Sequence, residues 1–404
     1  MPFWDVFVSQ FLKISNQLFY VVGPIRYEIM ILIILIGILY IIKYLKVYKS
    51  KNLIFIFLYL TFMVFSTFLT SHNFLLTIEG IKLQFLLILY IFFLSILINK
   101  NISKLPTIEI INKIFLFQLI SVILIALLEL YNQNILVFLY NKPLEDIPHI
   151  SFFSFQRLIS IIGNPINLGA FILVTLAFQI NLYTNKNNFF AKYTLFILAG
   201  LVVLLTLSRL ALIVFIVFVL ILVIIKGRKG VILLLIIIII SSIIYLLFLD
   251  IELGKFGSRI FGILDSNVVL NNSRLDNWTI AFSQIDGIIN FMFGFGLGQS
   301  NPSSELVENH GAFMIENAFV SVFIDLGLSG LVIYIAIFLR FVYLSISYYN
   351  LTKNPSFIIF IFIMFIFSLA NDFHRNMPFS FYFWFFLVWL EISNLNLRKV
   401  KYEK

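Results

Sequence analysis

Long runs of Ile, Leu, Phe and Val, each broken by a short polar cluster, recur along most of the chain. Runs long enough to cross a hydrocarbon core about 30 Å thick lie near residues 27–45, 52–70, 81–98, 110–130, 165–183, 193–207, 209–226, 230–249, 328–346, 356–371 and 379–395. They predict an all-α polytopic membrane protein, read here as one integral membrane domain over residues 1–404, with 11 to 12 transmembrane helices. The twelfth candidate, residues 3–22, is interrupted by Lys13, Ser15, Asn16 and Gln17. It either crosses or lies in the interface as an amphipathic helix, and crossing is the preferred reading. Met1 to Val22 lacks the basic start, compact apolar run and small-residue cleavage site of a signal peptide. No repeat of two halves stands out, which weighs against a transporter built from inverted repeats.

Composition sharpens this picture. The chain is 61% hydrophobic and 12% charged, against roughly 45–50% and about 25% in soluble domains, which excludes a soluble enzyme. With no cysteine, disulfides, zinc thiolates, iron–sulfur clusters and thiol nucleophiles are excluded together. The net charge of +9 is a topology signal, since connections rich in Lys and Arg alternate with connections poor in them. Lys43, Lys46, Lys100, Lys113, Lys186, Arg228, Lys353 and Arg398 belong to the rich set, which the positive-inside rule makes cytoplasmic together with the C-terminus. The two long connections, 131–164 and 250–312, then face outside, the second as a large outer loop between late spans that carries part of the expected site. No nucleic-acid partner is expected.

The chemistry has few places to reside. His72, His149, His310 and His374 stand alone in sequence, and no metal-ligand spacing or cofactor motif is present. The GFGLG run at Gly294–Gly298 has neither the strand before it nor the βαβ unit that a dinucleotide loop needs. Polar groups at the ends of spans are more informative, because ionisable groups at membrane depth are costly and mark function. Three such places occur: Arg157 with Gly163, Asn164, Pro165 and Asn167 in RLISIIGNPINLGA; Ser208 and Arg209 in LTLSRLALIVF; and the large loop with Ser273, Arg274 and Trp278, then GFGLG, then Glu316 and Asn317. Helical apolar spacing resumes after Glu316 and is broken at Gly327 and Gly330.

The order SR-x-A, SR-xxx-W, G-x-G-x-G, E-N and G-x-x-G, with RLxxxxGNPxNLGA before it, resembles the bacterial O-antigen polymerase and O-antigen ligase superfamily (Wzy and WaaL type) over roughly residues 155–335. The resemblance implies an undecaprenyl-pyrophosphate-linked oligosaccharide as substrate. It also implies the outer face of the bacterial plasma membrane, with membrane lipids and a chain-length regulator as further partners. Ligases of this superfamily typically carry His-Asn where this chain has Glu316 and Asn317, so a polymerase is favoured. The alternatives are a ligase acting on a lipid or protein acceptor and a flippase or other transporter of lipid-linked sugars. A transporter would place polar residues in the middle of several spans, whereas here the middles read as Ile, Leu, Phe and Val.

In this reading Arg209 and Arg274 stabilise the pyrophosphate leaving group by two-point pairing, and Glu316 takes the proton of the acceptor hydroxyl. Arg157, Asn317, Trp278 and His310 are expected to contact substrate. Plainer roles stand beside these. Arg209 snorkels or caps the preceding helix; Arg274 pairs with Asp276 or Asp286; Glu316 sits in the first turn of a helix, favoured by its dipole. Arg157 ties its loop to its span, His310 is an ordinary loop residue, and Trp278 is an interfacial anchor. Asn164 and Pro165 mark a helix start, and Glu129, at the end of its span, reaches water.

Overall fold

A computed structural model describes residues 51–71, 73–100, 106–140, 157–180, 189–226, 273–300 and 311–402. The expected spans 3–22, 27–45 and 230–249, about half of each long connection, and His310 lie outside the described residues. Among the described residues the fold is helical, with a single isolated bridge between Ser300 and Phe313 and no strand.

In chain order the helices are α1 (Lys51–Thr70), α2 (Phe74–Gly80), α3 (Leu86–Lys100), α4 (Ile108–Tyr131), α5 (Asn134–Tyr140), α6 (Pro165–Gln179), α7 (Phe189–Leu205) and α8 (Arg209–Lys226). After these come α9 (Ser273–Ser283), α10 (Gly287–Phe293), α11 (Ala318–Thr352), α12 (Ser356–Ser368) and α13 (Phe379–Tyr402). Among the described residues, four stretches are long and apolar enough to cross a membrane: Asn52–Thr70, Phe74–Ile96, Ile108–Tyr131 and Ala318–Thr352. The second begins seven residues before the apolar run that marked it, because Asn73 caps α2 and a π-turn at Ile81–Phe85 carries the helix on into α3. The fourth begins at Ala318, with Gly327 as a kink inside it; Gly330 stays helical.

The chain divides into two compact units. The described part of one holds α1–α3 and α9–α13. Here α11 is the central helix, packed on α1, α10, α12 and α13. Rings fill the contacts: Phe338 on Phe383, Phe341 on Phe360, Phe357 on Trp389, Tyr59 on Trp384. In lipid there is no hydrophobic gain in bringing apolar helices together, so close packing of this kind holds the bundle. The span interiors are nonetheless not wholly apolar. Half-buried Arg340 of α11 donates to Asn52 of α1 (3.0 Å) and to Glu391 of α13 (3.3 Å), so the buried Glu391 carboxylate meets its cation at the start of α1.

The described part of the other unit holds α4–α8. α6 is buried on all sides from Leu168 to Gln179, as expected of a helix apolar all round. Its start follows the sequence: the Asn164 side chain accepts from the N–H groups of Ile166 and Asn167, and Pro165 takes the first turn. Glu129 differs from expectation. It is fully buried, and its carboxylate accepts the N–H groups of Ile159 (3.1 Å) and Ser160 (2.7 Å) instead of reaching water. The short 3-10 turn Ser160–Ile162 leaves those donors without helical partners, and a carboxylate is the strongest local acceptor.

Candidate functional site

The residues singled out by sequence fall into two groups, one in each unit. In the unit of α4–α8, Arg209 is the first residue of α8, with the Ser208 hydroxyl capping that helix by accepting from Ala211 N. The end of α7 is bonded by a different arginine: Arg157 Nε donates to Thr206 O at 3.1 Å, and Leu158 N donates to Leu205 O. Arg157 therefore holds its loop to the α7–α8 turn, and Arg209 does not cap the preceding helix. Among the described residues no hydrogen bond or ion pair engages the Arg209 guanidinium. A cation in the first turn of a helix is opposed by the helix dipole, so α8 and Arg209 both favour an anion at this end.

In the unit of α9–α13, α9 brings Arg274 to Glu316, and the two form an ion pair through Arg274 Nε. Arg274 thus chooses neither Asp276 nor Asp286. Both side chains are about one-third exposed (34% and 31%), so the pair is open to a ligand. Glu316 lies one residue before the helix cap and so outside the first turn of α11. Asn317 is the cap: its Oδ1 accepts from Phe319 N (2.9 Å) and Val320 N (3.0 Å), while its Nδ2 donates to Leu369 O (2.8 Å). Both ends of that amide are thereby occupied by protein. Trp278 packs on a cluster centred on Ala281, Ile315 and Ile324, and its buried Nε1 donates to nothing among the described residues.

The glycine run does structural work. Phe295 N and Gly296 N donate to Ile324 O and Asp325 O, Leu297 N to Thr67 Oγ1, and Gly298 N and Ser300 N to the two carboxylate oxygens of Asp325 (3.1 and 2.8 Å). Its amides are used internally, so they do not cradle a phosphate. Gly298 has φ +86°, and a Cβ there would lie 1.9 Å from Leu76 O. Gly327 has φ +66° and meets α10 as closely.

This clasp exposes what sequence reasoning missed. Asp325, Asp372, His374 and Arg375 form a buried charged cluster at the end of the bundle carrying the glycine run. Arg375 Nη2 bonds Asp325 Oδ2 and Ser300 Oγ (2.6 Å), and Arg375 Nε lies 3.5 Å from Asp372 Oδ2. His374 Nδ1 contacts Asp372 Oδ1, so this histidine does not stand alone. Gln84 Nε2 donates to Asp325 Oδ2 at 3.2 Å, and the Ser321 hydroxyl to Asp372 Oδ2 at 3.4 Å. Burial by itself pushes the Asp372 carboxyl up, but His374 and Arg375 outweigh it and hold its pKa below the usual value. Its charge therefore supports the fold at neutral pH, and the support fades as pH falls through the lowered value. The sequence signals were single letters, Asp325 within FIDLGLSG and NDFHRN at 371–376, and nothing in their spacing paired them.

Near the clasp, a cavity of about 490 Å³ lies among α1, α2, the π-turn and Leu297, walled by Val64, Phe68, Phe74, Ile81 and Phe85 with the hydroxyls of Thr67, Ser71 and Thr77. Among the described residues no group of three or more His, Cys, Asp or Glu could hold a metal ion.

Comparison with known families decides the class. Residues 194–335 match the family model described as O-Antigen ligase. Over that segment, about one-third of the chain, the protein is similar to the O-antigen ligase family, and the match is equally compatible with a polymerase and a ligase. Arg209, Arg274, Trp278, Glu316 and Asn317 lie inside the matched segment; Arg157, Asp372, His374 and Arg375 lie outside it. No curated protein matches the chain. With its apolar helices, the family points to a multi-pass membrane enzyme of glycosyl transfer acting on lipid-linked oligosaccharides.

Proposed function

We propose that the protein is a polymerase of lipid-linked oligosaccharide repeat units. It would transfer the glycan from undecaprenyl pyrophosphate to a sugar hydroxyl of another lipid-linked unit, on the outer face of the plasma membrane. The observation that carries this reading is the one-third-exposed Arg274–Glu316 pair, which sets a guanidinium and a carboxylate side by side. In the reaction the acceptor oxygen bonds to the anomeric carbon of the donor sugar, and the bond from that carbon to the pyrophosphate oxygen breaks. The electron pair leaves with the pyrophosphate, and the acceptor proton passes to Glu316. Arg274 serves two anions in turn: it holds Glu316 when no substrate is bound and turns to the pyrophosphate as charge grows there, freeing the carboxylate for the proton. Arg209, at the start of α8, is proposed as a cation for the leaving group, and Arg157 as a substrate contact. Asn317 fixes the backbone beside Glu316. The apolar cavity next to the glycine run suits an isoprenoid chain.

A ligase is the second reading, favoured by the description of the matched family; Glu316 in place of histidine argues against it. Purified protein supplied only with lipid-linked repeat units, and no separate acceptor, should form long polymer. Transfer solely to an added lipid or protein acceptor would establish the ligase instead. In this assay Arg209→Lys keeps the charge and loses the planar fork, so a fall in transfer of about 10²-fold is expected with normal membrane insertion. Full activity of Arg209→Ala would remove the leaving-group role.

The 11 to 12 spans and the orientation belong to the same proposal. Since the chain has no cysteine, single cysteines can be introduced at will. Those at 186, 228 and 400 should label only from the cytoplasmic side, and those at 145 and 290 only from outside. Cytoplasmic labelling of 290 would overturn the orientation and the site together.

A further inference from the structure

We infer that Arg375, which no sequence motif and no family match singles out, is a positioning residue that sets the geometry of the Arg274–Glu316 pair; the inference rests on the roles proposed above for those two groups. Two other pieces of chain meet its guanidinium. Through Ser300 Oγ and the Asp325 carboxylate it grips the glycine run, which follows directly from α9 and α10 and so from Arg274. Asp325 itself sits at the kink of α11, the helix that Asn317 caps and Glu316 precedes. Arg375 itself belongs to the turn between α12 and α13, where its Nε lies 3.5 Å from Asp372 Oδ2, and the Leu369 O at the start of this turn accepts from the Asn317 amide.

One buried cation therefore fastens the segment behind Arg274 and the segment behind Glu316 to each other. The side chain of Arg375 is 4% exposed and that of Asp325 1%, so solvent does not compete for these bonds. Arg375 Nη2 bonds both Ser300 Oγ and Asp325 Oδ2 while its Nε faces Asp372; lysine keeps the charge, but its single ammonium does not face both aspartates from one rigid plane, and the clasp would slacken without charge imbalance. The backbone bonds from Phe295 and Gly296 to α11 remain in that variant and keep the fold. What changes is the relative placement of Arg274 and Glu316, and misplacement on the scale of 1 Å costs about 10²-fold in rate.

The test has two arms. In the first, Arg375→Lys is combined with Arg274→Cys and Glu316→Cys in the naturally cysteine-free chain, and a short bifunctional thiol reagent is applied in membranes. Crosslinking should be efficient with Arg375 and fall several-fold with Lys; equal crosslinking overturns the inference. In the second, Arg375→Lys should lower kcat for glycan transfer by about 10–100-fold with KM for the lipid-linked donor nearly unchanged. The same substitution in the Glu316→Gln background should cost little more, because both act on one step. Losses that multiply independently would show a merely structural role and overturn it. Ser300→Ala, neutral and small, repeats both arms should the lysine variant fail to insert, and is expected to show a weaker effect of the same pattern. If wild-type protein transfers no glycan at all, the proposed function falls, while the crosslinking arm still decides what Arg375 does.

Discussion

Glu316→Gln lowers the rate of glycan transfer by about 10²-fold or more, the range general-base catalysis typically contributes, with little change in binding of the lipid-linked donor. Gln keeps the size of the side chain and one oxygen that can accept a hydrogen bond from the sugar hydroxyl, but it does not take the proton. It also gives up the ion pair with Arg274, and this second effect is small and separable. An ion pair with both partners one-third exposed contributes under about 1 kcal/mol after solvent screening, so the protein stays folded. Arg274 stays in place for the pyrophosphate. The measurement is polymer formation from purified lipid-linked repeat units, together with donor binding. Were the carboxylate only a partner for Arg274, the Gln variant would keep nearly full turnover, and that result would remove the base assignment.

Arg375→Met has the largest expected effect on stability. It leaves Asp325 and Asp372, both fully buried, facing a single imidazole where a guanidinium had bridged them. Removing one partner of a buried ion pair costs about 3–5 kcal/mol, because the other charge stays in place without water. Stability of a whole domain is only about 5–15 kcal/mol, so the variant should accumulate poorly and unfold at markedly lower temperature in detergent. Adding Asp325→Asn removes one negative charge along with the positive one and should recover much of the loss. It will not recover all of it, since the amide cannot accept from Gly298 N, Ser300 N and the Ser300 hydroxyl as the carboxylate does. Failure of the second substitution to help would show that the cluster is held by shape and not by charge balance. Thermal unfolding followed by size-exclusion elution makes the comparison.

Much of this protein was legible in the order of its residues, for a physical reason. A helix in lipid satisfies its backbone bonds within itself, so each span is written in one continuous stretch. The starts and stops of α1, α4, α6, α8 and α12, and the start of α13, lie close to the apolar runs that mark them. Caps are equally local, as at Asn164, where the side chain reaches donors two and three residues on. Arg209 and Glu316 also stood out locally, as charges beside apolar helices.

What the order of residues left open was pairing. Arg274 had acidic neighbours at Asp276 and Asp286, yet it pairs with Glu316, 42 positions along the chain. Glu129 looked free to reach water because the Ile159 and Ser160 amides that bind it come from a loop thirty residues on. Asp325, Asp372 and Arg375 became one cluster only when α11 and the α12–α13 turn closed on the glycine run. A buried charge is tolerated only where its partners meet it, and those partners come from separate helices whose contacts no local spacing records. The sequence alone therefore determines which segments are helices and which residues hold charge at their ends; the tertiary structure decides which charges face one another, because desolvation makes that choice only once the helices have packed.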